Sequence, residues 1–482
     1  MTGGILDPIE KPLEILVSKV TQPKKLSLVW KVVFLSFLFL CLAGVFYAVL
    51  QTLKPSSKVV KPPVYPLPTE EPITTLPAEK NVLSSAHNKF GLNILNELQK
   101  TEKGNVFISP SSIALALSMV YNGADKGTKT AMEKTLQYQG ISIDEVNKMS
   151  LDLLGILKNP DPKVEINIAN SIWARKGEVF NPDFLKINSR FFQAEVKNID
   201  FNDNKSSDII NAWVNEKTKG KIPTILQPPI PGYMVMYIIN AIYFKGSWTY
   251  EFDKKLTKDI QFNVFEYSGN EPAPLSFPKN TVLAMEQTRK DFSYLENDDF
   301  QAVSLPYGAN KKLRMLVFLP KKTLNEFLGK LSYENWKVWA EGLGGPSFAE
   351  SDSATAKSDL ATAGKQEGTV VLPKFKVEYK KNLNKELKNL GMEIAFSGKA
   401  DLSKIAPDLF ISEVVHKTYV DVNEEGTEAA AVTAVGIGKT SFNPKEKQPF
   451  YMEVNKPFFF AIEDSSSGEV LFMGTIREIK GK

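Results

Sequence analysis

The stretch Asn423-Glu424-Glu425-Gly426-Thr427-Glu428-Ala429-Ala430-Ala431-Val432-Thr433-Ala434-Val435-Gly436-Ile437-Gly438-Lys439-Thr440-Ser441 decides how the rest of the chain is read. Its acidic start and its alanines suit a helix, whereas Val432, Thr433 and Val435 suit a strand. At a period of two, Thr427, Ala429, Ala431, Thr433 and Val435 share one face, small or β-branched and uncharged, and Glu428 falls on the other. No proline interrupts the run, so every residue could donate to a sheet ladder. Gly436 and Gly438 loosen the backbone just before Lys439-Thr440-Ser441. Such a segment can be an exposed loop in one state and a buried strand in another; the plainer reading is an alanine-rich helix end or linker. Gly438-Lys439-Thr440 also has the ending of a phosphate-binding loop. That motif needs a glycine where Thr433 stands and a helix where Phe442-Asn443-Pro444 is a poor start, so nucleotide binding is excluded.

Working outward, the 482 residues suffice for one large domain or two to three ordinary ones. Hydrophobic side chains make up 43% and charged ones 24%, the balance of a globular chain with a sizeable core. A net charge of +4 from 59 basic and 55 acidic residues is too even to argue for nucleic acid. The single cysteine, Cys41, lies in an apolar run, which excludes disulfides within the chain and thiolate catalysis outside that run. Two histidines, His87 and His416, leave little material for metal sites or general acid–base chemistry. No metal and no cofactor is expected, and composition argues against an enzyme.

Before the globular part lie three segments. Residues 1–31 are polar to mixed and read as a cytoplasmic tail. Val32 to Leu50 is uncharged and apolar and would span roughly 28 Å as a helix, enough to cross a membrane. A cleaved signal peptide is the alternative, but the leader is long and no small-x-small site follows. Cys41 in mid-run, preceded by Leu-Phe-Leu, speaks against a lipoprotein site. The reading is an uncleaved signal anchor. Lysines 11, 19, 24, 25 and 31 before it outnumber 54, 58 and 61 just after it, which places the bulk of the chain outside the cytoplasm. Residues 51–80 are proline-rich and read as a semi-rigid stalk reaching up to roughly 90 Å.

From Asn81 a globular pattern begins. Leu83, His87, Phe90, Ile94 and Leu98 keep helical spacing, so His87 reads as the flank of a first helix before it reads as a ligand. Asn105 to Ile108 reads as a short strand, and a second helix starts at Ser109-Pro110-Ser111-Ser112 and stops at Asn122-Gly123. Further strands are expected at Ile166–Trp173, Tyr237–Phe244 and Arg314–Leu319, and a helix at Ser207–Lys217. Without a regular βαβ period or an internal repeat, the mixture points to the α+β class. Residues 341–368, rich in Ser, Ala, Gly and Asp, read as a disordered surface insertion.

Eight segments then carry a resemblance. Asn105-Val-Phe-Ile-Ser-Pro-Ser-Ser-Ile113, Asn240-Ala-Ile-Tyr-Phe-Lys-Gly-Ser-Trp248, Ser304-Leu-Pro-Tyr307 and Leu372-Pro-Lys-Phe-Lys376 are followed by Ile411-Ser-Glu-Val-Val-His-Lys417, Val422-Asn-Glu-Glu-Gly-Thr-Glu-Ala-Ala-Ala431, Val454-Asn-Lys-Pro-Phe458 and Leu471-Phe-Met-Gly474. In this order they resemble the serpins over essentially all of residues 81–482. The resemblance implies the serpin fold of three β-sheets and eight to nine helices, with an exposed reactive-centre loop, here 424–448. It also implies inhibition of serine proteases, the cut loop entering the central sheet as a new strand. The hinge would be Glu424, Glu425, Gly426, Thr427, Glu428, Ala429, Ala430, Ala431 and Thr433.

Seventeen residues counted from Glu424, as in inhibitory members, put the reactive bond at Thr440–Ser441, which suits an elastase- or subtilisin-like protease; a bond at Lys439–Thr440 would suit a trypsin-like one. Ser109, Ser112, Asn240 and His416 match a polar cluster beneath the central sheet where its strands part. Trp248 and Glu424 match the top of that sheet, although Trp248 could equally be a core aromatic. A catalytic role for His416 finds no Gly-x-Ser-x-Gly elbow to serve. The insertion, the long Phe442–Gln448 segment and the anchor depart from the family pattern. The expected protein is a monomeric, membrane-tethered inhibitor; the alternative is a non-inhibitory serpin acting as carrier, chaperone or structural surface protein.

Overall fold

A computed structural model of the protein describes residues 80–158, 160–264, 279–346, 363–427 and 448–481, all within one compact unit spanning Tyr65–Lys482. The segments expected as cytoplasmic tail, signal anchor (32–50) and stalk, up to residue 79, and residues 428–447 of the expected reactive-centre loop lie outside the described residues. Among the described residues no helix is long and apolar enough to cross a membrane.

The α-helices are α1 (Lys80–Gln99), α2 (Pro110–Tyr121), α3 (Lys126–Leu136), α4 (Ile143–Leu157), α5 (Pro182–Phe191), α6 (Ser206–Lys217), α7 (Leu324–Lys330), α8 (Tyr333–Gly342) and α9 (Asn384–Leu387). The first strands are β1 (Val106–Ile108), β2 (Val164–Arg175), β3 (Glu195–Ile199), β4 (Met236–Ser247) and β5 (Lys258–Asn263). Then come β6 (Lys279–Glu296), β7 (Phe300–Tyr307), β8 (Leu313–Pro320), β9 (Gly364–Pro373) and β10 (Phe375–Asn382). The last are β11 (Val415–Asn423), β12 (Gly426–Thr427), β13 (Phe450–Glu453), β14 (Phe458–Asp464) and β15 (Val470–Ile476). The elements expected from the sequence stand within three residues of these bounds. The start of α2 shows why: Ser109 caps it, accepting from Ser112 N at 3.2 Å, and Pro110 takes the first-turn position where no N–H is needed.

One sheet runs β10-β11-β12-β4-β2-β3, and a larger one runs β1-β15-β14-β8-β7-β6-β9-β13 with β5 also on β6. The third sheet expected from the resemblance is the β5-β6-β9-β13 part of the larger one. Strand β6 pairs with β5 over Lys279–Ala284, with β9 from Ala284 to Tyr294 and with β7 from Ser293 to Glu296, and its β9 ladder shifts register between Arg289 and Phe292. A bulge of this kind bends a strand, letting one strand serve two sheets. A small core of Trp173, Trp213, Ile210 and Ile239 packs α6 over one face of the six-stranded sheet, and the main core fills the rest of the molecule.

The insertion expected at 341–368 is narrower than its composition suggests. Glu341 and Gly342 close α8, and Gly364–Gly368 opens β9, paired with β6 and, at Gly368, with Phe450 of β13. Backbone ladders need no large side chains. A Cβ at Gly368 would lie 2.2 Å from the Phe450 ring, so the glycine makes room for that aromatic.

Candidate functional site

Strand β11 alternates: His416, Thr418, Val420 and Val422 are buried while the residues between them are partly exposed. It ends in a tight turn at Glu424-Glu425, where Asn423 Oδ1 accepts from Glu425 N at 3.0 Å. The chain then returns as β12, antiparallel to β11 on one side (Val422↔Thr427) and to β4 on the other (Thr427↔Gly246). Only glycine fits the first position of this return. A Cβ on Gly426 would stand 2.1 Å from Gly246 O, and its φ of +155° is one that other residues rarely adopt.

The hinge is held by aromatic packing and by charge. Thr427 Oγ1 bonds the Tyr307 hydroxyl at 2.7 Å. Tyr307 stacks on Trp248 at 4.4 Å and meets Phe244 edge-on at 5.1 Å. Burial pushes the Tyr307 phenol well up, so it stays protonated. Trp248 donates from Nε1 to Asn423 O at 2.9 Å and from its backbone to Glu425 O at 3.0 Å; Phe252 N donates to Glu424 O at 2.9 Å. Burial pushes the Glu424 carboxyl up, but Lys374 Nζ, 2.9 Å from Oε2, and Thr257 Oγ1, 2.7 Å from Oε1, hold it below the ordinary carboxylate value. Glu425 pairs with Lys254.

At the far end of the same seam stand the other predicted residues. Complete burial pushes His416 down to about 3, so it is neutral, and its Nε2 accepts from Ser109 N at 3.1 Å. Ser112 Oγ donates to Asn240 Oδ1; Asn240 Nδ2 donates to Asn170 Oδ1 at 2.7 Å, and Asn170 Nδ2 to Phe192 O at 2.6 Å. The start of α2 thus gathers Ser109, Ser112, Asn240 and His416, but in two separate arms: no hydrogen bond joins His416 to Asn240. Among the described residues β4 and β11 share no ladder of their own; only Gly426-Thr427 stands between them. A cavity of about 110 Å³ opens here, lined by Ser112, Leu117, Ile239, Asn240, Val415 and His416 among others.

Ser109 offers His416 only a backbone N–H, and its hydroxyl faces Ser112 N, so the pair is not a nucleophile and base. Among the described residues no group of three or more His, Cys, Asp or Glu could hold a metal ion. Glu428, Ala429, Ala430, Ala431, Thr433, Lys439, Thr440 and Ser441 lie outside the described residues. Sequence reasoning missed Tyr307, Gly246, Lys374 and Asn170. Three of them sat inside segments already singled out: Ser-Leu-Pro-Tyr, Phe-Lys-Gly-Ser-Trp and Leu-Pro-Lys-Phe. His87 is on its helix as expected, yet fully buried, bonding Glu469 at 2.8 Å and Tyr138 at 3.0 Å.

Comparison with known proteins agrees with this geometry. The serpin (serine protease inhibitor) family profile matches residues 85–479. Serpin B6 of Pongo abelii is 33% identical over 404 residues, covering 82% of this chain and 98% of that protein. Leukocyte elastase inhibitor of Homo sapiens is 33% identical over 407 residues, covering 81% and 98%. Among solved structures, the thermophilic serpin tengpin in its native state is similar with a TM-score of 0.68 and 31% identity, over 85% of this chain and 96% of that one. Serpin48 of the insect Tenebrio molitor follows with 0.67 and 27%, over 83% and 98%. With the α+β fold, the glycine-seated hinge and a profile match over most of its length, this chain belongs to the serpin (serine protease inhibitor) family, a family of inhibitors and their relatives and not of enzymes.

Proposed function

We propose that the protein is a membrane-tethered suicide inhibitor of serine proteases. The carrying observation is the seat of Gly426-Thr427 between β11 and β4, in register with both. Each further loop residue, if it followed, would come level with one residue earlier on each strand. Ala429 would meet Val420 and Phe244, Ala431 would meet Thr418 and Ile242, and Thr433 would meet His416 and Asn240. The small, uncharged face of the loop would then lie on the buried face of β11.

In this reading a protease serine bonds to the carbonyl carbon of Thr440 and the Ser441 amine leaves. The freed loop enters the seam and carries the acyl-enzyme with it. About a dozen newly paired residues at about 1 kcal/mol per net hydrogen bond, plus burial of the small face, make the driving force on the order of 10 kcal/mol. The name of the leukocyte elastase relative supports an elastase-like target, as does the β-branched Thr440. A cut after Lys439 would make the target trypsin-like. The apolar run 32–50 would hold the chain in a membrane, and the stalk would present a monomeric inhibitor outside the cytoplasm.

The test mixes the protein with elastase-, subtilisin- and trypsin-like proteases and looks for a complex that survives boiling in detergent. A complex with a released peptide starting at Ser441 is expected; a start at Thr440 moves the target to trypsin-like enzymes. Cleavage with no complex, and no gain in melting temperature of the cleaved protein, refutes loop insertion. Loss of the protein from membranes at alkaline pH refutes the anchor.

A further inference from the structure

Beside the hinge lies a second cavity, polar and of about 140 Å³. Two of its lining residues, Tyr250 and Pro306, neighbour the stacked pair Trp248 and Tyr307 in the chain. Its wall carries four cations, Arg289, Lys311, Arg314 and Lys365, against one carboxylate, Asp291. They come from β6, the β7–β8 turn, β8 and the start of β9, so the fold rather than a local charge run collects them.

Their partners compensate the two arginines and, among the described residues, leave the two lysines without a counter-charge. Asp291 accepts from Arg289 Nε at 3.0 Å and Nη2 at 2.9 Å, while the guanidinium carbon lies over Tyr250, 3.7 Å from the ring centre. Arg314, 3% exposed, pairs with Glu463 at 3.0 Å and donates to the carbonyls of Leu343 and Ala340, yet its Nε has no partner. Lys311 Nζ donates to Tyr250 Oη at 2.8 Å and Lys365 Nζ to Ser293 Oγ at 2.9 Å. Among the described residues neither lysine has a carboxylate within ion-pair distance. Ser304, 6% exposed, lines the same space with no partner for its hydroxyl among those residues.

A solvated basic surface is the plain alternative. It does not account for an arginine largely buried over an aromatic wall, nor for a serine that is nine-tenths buried and lines the cavity unpaired. We propose that this cavity binds a tetrahedral oxyanion, a sulfate or phosphate group, as the free ion or as a monoester. The two lysines would supply charge, and Arg289 and Ser304 directed donors, to an anion whose oxygens accept from several sides at once. The proposal does not depend on protease inhibition.

The full-length chain in detergent micelles is titrated calorimetrically with sodium sulfate, sodium phosphate and methyl phosphate, with chloride holding the ionic strength constant. The comparison is a Lys311→Ala, Lys365→Ala double variant. Both side chains are exposed, so an unchanged melting temperature without ligand is expected; should it fall, Lys365→Gln alone takes its place. Saturable one-site binding of sulfate or phosphate, weakened at least tenfold in the variant, is expected. Methyl phosphate binding as tightly as phosphate assigns the site to an ester on a larger molecule; binding confined to the free ions assigns it to the inorganic anion. Absence of saturable binding for all three, or equal affinity in both proteins, overturns the proposal.

Discussion

At the hinge end of the β4–β11 seam Thr427 is buried, bonded to Tyr307 and backed by the Trp248 stack. At the far end Asn240 and His416 stand on the same two strands, each tied to α2 and not to the other, beside a cavity. One end is filled and held by packing; the other is polar and held apart. A seam filled at one end only is directional: a strand extending it starts at Thr427 and meets polar groups last. These polar groups are satisfied from the start of α2 and, for the Asn240 amide N–H, from Asn170 of β2, so parting β4 from β11 leaves few buried donors stranded.

The largest expected effect breaks the filled end. Thr427→Arg would place a charge against Tyr307 and the Trp248 stack, at a position 2% exposed. An isolated buried charge costs far more than the few kcal/mol that one seated residue contributes. The hinge should be expelled and the protein become a plain substrate. The measurement is the fraction of protease trapped, expected to fall to background while the loop is still cleaved; undiminished trapping would sink the insertion mechanism. Next comes Trp248→Ala. It removes the stack and the indole bond to Asn423 O, and large-to-small core changes of this kind cost about 3–5 kcal/mol. Denaturant unfolding should show it; a loss below about 1 kcal/mol would mean that Trp248 merely fills space.

Which parts of this were legible beforehand follows the same division. Thr427 was readable because a small, uncharged, period-two face is a property of the residues alone, whereas Gly426 came only with the resemblance. Tyr307 was not: its role comes from a stack with Trp248 and a bond to Thr427, across separations that no local pattern encodes. Asn240 and His416 could be grouped by resemblance, but their division into two arms depends on the spacing of β4 and β11. The segment Gly364–Gly368 misled because composition reports side chains, whereas its place in β9 rests on backbone pairing and on the room Gly368 leaves for Phe450.

At the far end, acid sharpens the contrast. His416 titrates near 3 in the fold against an ordinary 6.5, so the unfolded chain binds the extra proton between those values. Stability from keeping this ring neutral is complete above pH 6.5 and is lost as pH falls toward 3. In His416→Gln the amide oxygen can still accept from Ser109 N, and nothing there titrates. The wild type should therefore lose several kcal/mol more than the variant between pH 6.5 and 4, by urea unfolding at each pH. Parallel curves would mean that the ring takes up its proton without unfolding.

The smallest effect separates charge from packing at the hinge. Glu424→Gln removes the pair with Lys374, whose side chain is 33% exposed, so water screens much of the attraction. The turn keeps its backbone bonds, Phe252 N to Glu424 O and Trp248 N to Glu425 O. About 1 kcal/mol or less should be lost at pH 7. Because the folded carboxyl titrates below its ordinary 4.5, that contribution is present above pH 4.5 and disappears as pH falls below it. Wild type and variant should converge in acid and differ at neutrality by far less than Trp248→Ala. A loss at pH 7 as large as that of Trp248→Ala would mean that the carboxylate, and not the aromatic stack, keeps Thr427 in its seat.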